Sequence, residues 1–191
     1  PKDQTNGAKV ISCLATYVTP YLLNQSKINI KKHHVREIDI GYRGSVMPLH
    51  FGKLCYEKKY IGDLVKKSLN GKNVVLDISS ETKDRFGGEN WFEFLSNCKA
   101  VLGVEGGTSI FDLNFNLKNR IRDIENKIGK NDYSDKYAQN FLNNLSDLED
   151  KVYYKMISPR IFEAIATNTL QILFPGDYSN ILIPNKHYLP L

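Results

Sequence analysis

The sequence predicts an α/β protein: a doubly wound, mostly parallel sheet, Rossmann-like, interrupted by a helical insertion. Three observations carry this. Short runs rich in β-branched and aliphatic residues stand at Ile38–Tyr42, Val74–Ile78, Ala100–Val104 and Leu170–Phe174. Segments of helical spacing separate them, as a chain alternating between sheet and covering helices requires. The runs are short and mostly apolar, which suits strands buried on both faces.

Residues 1–36 hold the run Val10–Val18 and a polar tail. They are expected to be a strand or linker arriving from a preceding domain, the chain being a piece of a larger protein. The Rossmann-like domain then covers residues 37–191. Its first strand ends in the glycine-flanked Tyr42-Arg43-Gly44, after which Leu54, Ile61, Leu64, Val65 and Leu69 fall at helical spacing and Asn70-Gly71 supplies a stop. The second strand leads through Gly87-Gly88 to a short helix whose Trp91, Phe92 and Phe94 read as a core face. The third ends at Glu105-Gly106-Gly107-Thr108-Ser109. Residues 113–150, rich in Asn, Lys and Asp with Ile121, Ile124 and Ile128 at spacings of three and four, predict the helical insertion. A helix beginning near Ser158-Pro159 and the strand from Leu170 complete the pattern.

With 191 residues, 41% of them hydrophobic and 25% charged, the chain can bury a core without disulfide or metal. Cys13, Cys55 and Cys98 fit neither a disulfide framework nor a metal knuckle, so they read as reduced thiols. No run is long and apolar enough to span a membrane and no secretory leader opens the chain, so a cytoplasmic protein is expected. Only six of the 26 basic residues are arginine, and the lysines are scattered among acids, which argues against nucleic-acid binding. The compact basic cluster Lys31-Lys32-His33-His34 reads as a solvated turn, with a peripheral membrane contact in the full-length protein as the alternative. The four histidines share no ligand spacing with one another or with the cysteines, so no metal site is expected.

Ligands of open parallel sheets sit outside the carboxyl ends of the strands. Arg43 and Gly44 end the first strand there and could meet a phosphate. Arg85 lies in the loop after the second. Glu105, Gly106, Gly107 and Thr108 place a carboxylate beside backbone and hydroxyl donors. GxGxxG is not completed and no P-loop lysine is present, which weakens dehydrogenase and ATPase readings. The most specific segment is Ser158-Pro159-Arg160-Ile161-Phe162-Glu163. Serine as N-cap and proline at the first helical position define a helix start whose free N–H groups favour an anion. Arg160 adds a full charge, and Glu163, three residues on, shares its face.

Ser158–Ala166, followed by Leu170–Gly176 and Tyr178, resembles the R-x-F-E-A-x-A-then-strand signature of the C-terminal, nucleotide-sugar-binding domain of GT-B glycosyltransferases, the group-1-like retaining branch. The resemblance covers about residues 37–191, and its sharp part is about ten residues. It implies a nucleotide-diphosphate sugar donor, an acceptor of unknown identity, and no metal or other cofactor. It casts Glu163 as the ribose carboxylate, Glu105 as the sugar-side catalytic carboxylate and Arg160 on the diphosphate, with Arg43 or Arg85 as the second cation. The two glutamates stand 58 residues apart, so the pairing requires the insertion to loop out and return. The acceptor half would precede the chain, which should then bind donor and turn over little. A non-catalytic nucleotide binder and a sugar-nucleotide epimerase are the alternatives. A phosphoacceptor reading of Asp77 lacks its acidic pair and its lysine.

Overall fold

The computed structural model describes residues 9, 11, 13–28, 30–112, 117–129 and 134–191. Helix α1 (Pro20–Ile28) is followed by strand β1 (Ile38–Arg43), helix α2 (Lys53–Ser68), strand β2 (Leu76–Ser79), helix α3 (Glu89–Asn97) and strand β3 (Cys98–Gly103). Next come a short strand β4 (Gly106–Thr108), helices α4 (Leu117–Ile128) and α5 (Asp135–Asn143), and strand β5 (Tyr154–Met156). Helix α6 (Pro159–Ala166), strand β6 (Leu170–Leu173) and strand β7 (Leu189–Pro190) finish the chain.

Five strands form one parallel sheet in the order β2-β1-β3-β6-β7. Gly41 lies opposite Asp77 on one side and Val101 on the other, and Val101 in turn opposes Gln171. The chain runs outward from β1 to β2 and then crosses back to β3. This reversal opens a crevice at the carboxyl ends of β1 and β3. The architecture is that of a Rossmann-like α/β fold, as the apolar runs predict.

Helices cover both faces. On one, Ile61 and Val65 of α2 pack on Tyr42, Ile78, Leu102 and Val104. On the other, Phe94 and Leu95 of α3 and Ala164 of α6 pack on Cys98 and Val101. At the amino ends of the strands the buried Arg36 donates to the carbonyls of Cys98 and Thr167, each at 2.8 Å, and to Thr169 Oγ1 at 2.9 Å. Its hydrogen bonds join the start of β1 to the turn between α6 and β6.

Three features depart from the sequence-based expectation. The N-terminal segment, expected as strand or linker, carries α1, which packs on α6 with Leu22 and Gln25 buried and Tyr21 set edge-on to Phe92. Thr19 Oγ1 accepts the Leu22 N–H at 3.0 Å and Pro20 takes the first helical position, so the helix start is well specified. Residues 13–18 have no regular structure, and Val10 and Ser12 lie outside the described residues. Second, β4 and β5 pair antiparallel at the base of the insertion. Third, β7 adds an unexpected edge strand.

Within residues 113–150, α4 and α5 pack on each other around their own core of Leu117, Ile124, Phe141 and Leu145, closed by Ile110. Residues 113–116 and 130–133 of this segment lie outside the described ones.

Candidate functional site

The crevice at the carboxyl ends of β1, β3 and β6 is a cleft of about 240 Å³. Tyr42, Gly44, Lys58, Trp91, Glu105 and Arg160 are among its walls. Helix α6 points its amino end here: Ser158 Oγ accepts the Arg160 N–H at 3.4 Å and Pro159 occupies the first turn, as the sequence predicts. The remaining free N–H groups and the helix dipole favour an anion at this end.

Arg160 and Glu163 meet at a third residue, Trp91. The Trp91 indole N–H donates to Glu163 Oε2 at 2.7 Å, and the Arg160 guanidinium carbon stands 5.1 Å from the centre of the indole ring. Arg160 also donates to the carbonyl of Arg43. Trp91 also stacks on Phe94, with centroids 5.6 Å apart. The ring is thus a half-buried platform that holds a cation and a carboxylate from successive turns of α6.

Glu105, at the end of β3, is buried, with Oε1 accepting the Tyr178 N–H at 2.6 Å. Tyr178, Ser179 and Asn180 have φ of 45°, 55° and 59°, three consecutive non-glycine residues in the left-handed region. This conformation costs roughly 1–2 kcal/mol per residue. The turn joins two parts of the cleft: Tyr178 holds Glu105, and Ser179 Oγ accepts the N–H of Ile157, the residue before the α6 cap, at 3.1 Å.

The glycine loop after Glu105 departs from its expected role. Instead of ringing an anion with free donors, Gly106, Gly107 and Thr108 pair with Met156, Lys155 and Tyr154. Gly106 lines the cleft, whereas Gly107 and Thr108 are set behind it. Gly107 has φ 92°, and a Cβ there would fall 1.9 Å from the Tyr154 carbonyl oxygen, so no other residue fits. This ribbon returns the chain to α6 and brings Glu105 and Ser158 to the same cleft across the intervening insertion.

Arg43 is also placed differently from its sequence-predicted role. Its backbone lines the cleft, but its guanidinium turns away and is consumed structurally. Nε donates to the Asp84 carbonyl at 2.9 Å, Nη1 to the carbonyls of Tyr42 at 3.0 Å and Asp77 at 2.9 Å, and Nη2 to the Asp77 carboxylate at 2.9 Å. The group also stands 4.7 and 4.4 Å from the ring centres of the adjacent Phe86 and Phe94. Arg85 is exposed and lies outside the cleft wall, which it reaches through a 3.0 Å bond to Ser45 Oγ. Gly44 lines the cleft, and it packs so tightly that a Cβ would stand 2.6 Å from the Lys58 carbonyl oxygen.

The cation that sequence reasoning missed is Lys58. It projects from α2 into the cleft wall, with Nζ donating to the Gly107 carbonyl at 2.9 Å and standing 3.7 Å from Cys55 Sγ. The Tyr42 hydroxyl fixes the helix here by donating to the Lys58 carbonyl at 2.7 Å. Burial pushes the Tyr42 phenol far above its ordinary value, opposed by the nearby Arg160 charge. Burial likewise raises Glu57, opposed by Lys53 and Lys155. Trp91, expected as core, is the other addition. Among the described residues no cluster of His, Cys, Asp and Glu could hold a metal ion, and no helix is long and apolar enough to cross a membrane.

Comparison with known proteins gives no match: no family model, no curated sequence and no solved structure is similar to the chain.

Proposed function

We propose that the cleft binds a nucleotide-diphosphate sugar and that the chain is the donor-binding half of a glycosyltransferase. One observation carries the reading. The amino end of α6, Arg160, Lys58 and Glu105 line one cleft at the strand carboxyl ends, and Glu163, which does not line it, is tied to its wall through Trp91. Two cations and a helix dipole suit a diphosphate, and a nearby carboxylate suits hydroxyl groups.

In this reading Arg160 moves from the Arg43 carbonyl to the diphosphate, with Lys58 beside it. Glu163 accepts from the ribose hydroxyls while the Trp91 N–H holds its carboxylate in place. Glu105 faces the sugar. In the transfer, the bond between the anomeric carbon and the diphosphate oxygen breaks, its electron pair leaving with the diphosphate. The acceptor oxygen bonds to the anomeric carbon, and the acceptor proton ends on the released diphosphate. Arg160, Lys58 and the helix end stabilise the charge that develops on that leaving group.

Calorimetric titration with UDP, GDP, ADP and CDP tests the proposal. At least one should bind with about −8 to −4 kcal/mol, the micromolar to millimolar range, and Arg160→Ala should weaken it. Silence with all four would overturn the donor-site reading.

A further inference from the structure

Nine polar or charged side chains are buried among the described residues. Eight of them, Arg36, Arg43 and Glu105 included, interact with other groups of the protein. The ninth is Gln171 on β6, only 3% exposed, whose side-chain amide makes no hydrogen bond to any described residue. Leaving a buried amide unpaired costs free energy, and native proteins seldom do so. Gln171 lines the cleft, and neither of its amide atoms is sealed in the core, so its polar end faces that space.

The place of Gln171 in the sheet sets what it can meet. It lies opposite Val101, as Leu173 lies opposite Gly103. Side chains two residues apart in a strand share a face, so Gln171 is on the face of Leu173, about 6.6 Å below the end of β6. Leu95, Val101, Ile161 and Leu173 are apolar walls of the same cleft. Apolar sides with one amide at the floor suit a flat ring whose edge carries hydrogen-bonding groups. An apolar cavity of roughly 150 Å³ accepts benzene, and the cleft of about 240 Å³ is larger. Helix α6 descends in the same direction, with Glu163 about 4.5 Å deeper than Arg160. From mouth to floor the order is cation, carboxylate, amide.

Resting on the donor-site reading above, we propose that Gln171 recognises the nucleobase of the donor. With the diphosphate at Arg160 and the ribose at Glu163, the base enters between the sheet and helices α3 and α6, and its edge meets the Gln171 amide. A carboxamide offers a donor and an acceptor side by side, and each common base presents the complementary pair, so two hydrogen bonds form.

The test is a two-dimensional amide NMR titration of the 191-residue chain and of Gln171→Met with UDP, GDP, ADP, CDP and inorganic pyrophosphate. The substitution keeps the side-chain length and removes its hydrogen-bonding groups. In the unaltered chain the side-chain NH2 pair of Gln171 should shift saturably with the nucleotide that binds and stay still with pyrophosphate. Gln171→Met should weaken that nucleotide at least about fivefold, the worth of two neutral hydrogen bonds, and leave pyrophosphate within about twofold. Since the amide has no partner to lose in the free protein, the urea midpoint should hold or rise. Four results overturn the proposal while leaving the donor site standing: a nucleotide that moves the Arg160 amide but not the Gln171 NH2 pair, unchanged nucleotide affinity in Gln171→Met, an equal loss for pyrophosphate, or a lowered urea midpoint. Silence with all four nucleotides removes the donor site itself, and the base contact with it.

Discussion

The indole N–H of Trp91 donates to the Glu163 carboxylate at 2.7 Å, joining α3 to α6 directly beside the cleft. Trp91 is the sole tryptophan of the chain, so its emission reports on this junction alone. A ligand that draws Arg160 off the ring and engages Glu163 should change that emission saturably. Trp91→Phe keeps the ring but removes the donor, and should weaken the nucleotide that binds by about fivefold to tenfold, the worth of one hydrogen bond to a charged group when partly exposed. Calorimetry of the variant checks this, and unchanged affinity would separate Trp91 from the site.

Arg43 and Arg160 should fail in different ways. Arg160→Ala and Lys58→Ala each remove an exposed or half-buried cation, and should lower nucleotide affinity about tenfold with the denaturation midpoint little changed. Arg43→Ala leaves three carbonyls and the Asp77 carboxylate without their donor, and should cost about 3 kcal/mol of stability. Urea denaturation of the three variants, set beside their titrations, separates the binding cations from the structural one.

Gly107→Ala should be among the most damaging single-methyl changes. The new Cβ would overlap the Tyr154 carbonyl at 1.9 Å in a left-handed backbone conformation, so β4 and β5 must part. A loss of about 3 kcal/mol or more is expected, with increased amide exchange along Gly106–Thr108 and Tyr154–Met156.

Glu57 provides a pH signature. Burial holds its carboxyl above the ordinary pKa, with Lys53 and Lys155 pulling the other way. A folded-state pKa above the unfolded one means that the contribution to stability is complete below the unfolded value and is lost as pH rises through the folded value. Above the unfolded-state value the upward shift of this half-buried carboxyl is therefore a cost to folding. Glu57→Gln should raise the urea midpoint at about pH 7, and the gain should shrink on approaching about pH 4, the ordinary carboxylate range. A gain that grows with acidity would contradict this account.

Local signals in the chain were legible because they depend on neighbours in sequence. Ser158-Pro159 specifies the start of α6, and the runs at Ile38, Ala100 and Leu170 become parallel strands. Thr19-Pro20 carries the same capping signal, which the reading of residues 1–36 as a strand or linker passes over. The side-chain roles were not, because their determinants are distant. Whether Arg43 faces the cleft depends on Asp77, 34 residues away in sequence and on the adjacent strand. The orientation of Glu105 depends on a left-handed turn at Tyr178, 73 residues on. Lys58 resembles any helical surface lysine until the tilt of α2 over the sheet carries it to Gly107. Strands of three residues such as β4 and β5 leave no periodicity to read.

The short β4–β5 ribbon also makes the molecule modular. Three residue pairs, Gly106 with Met156, Gly107 with Lys155 and Thr108 with Tyr154, form a clasp at the base of the insertion. Closure of such a clasp depends only weakly on the length of the bight it cinches. The bight could therefore be lengthened or shortened at modest entropic cost, its two ends being held in place by the clasp and by the bonds of Ser109 and Glu149 to the start of α2.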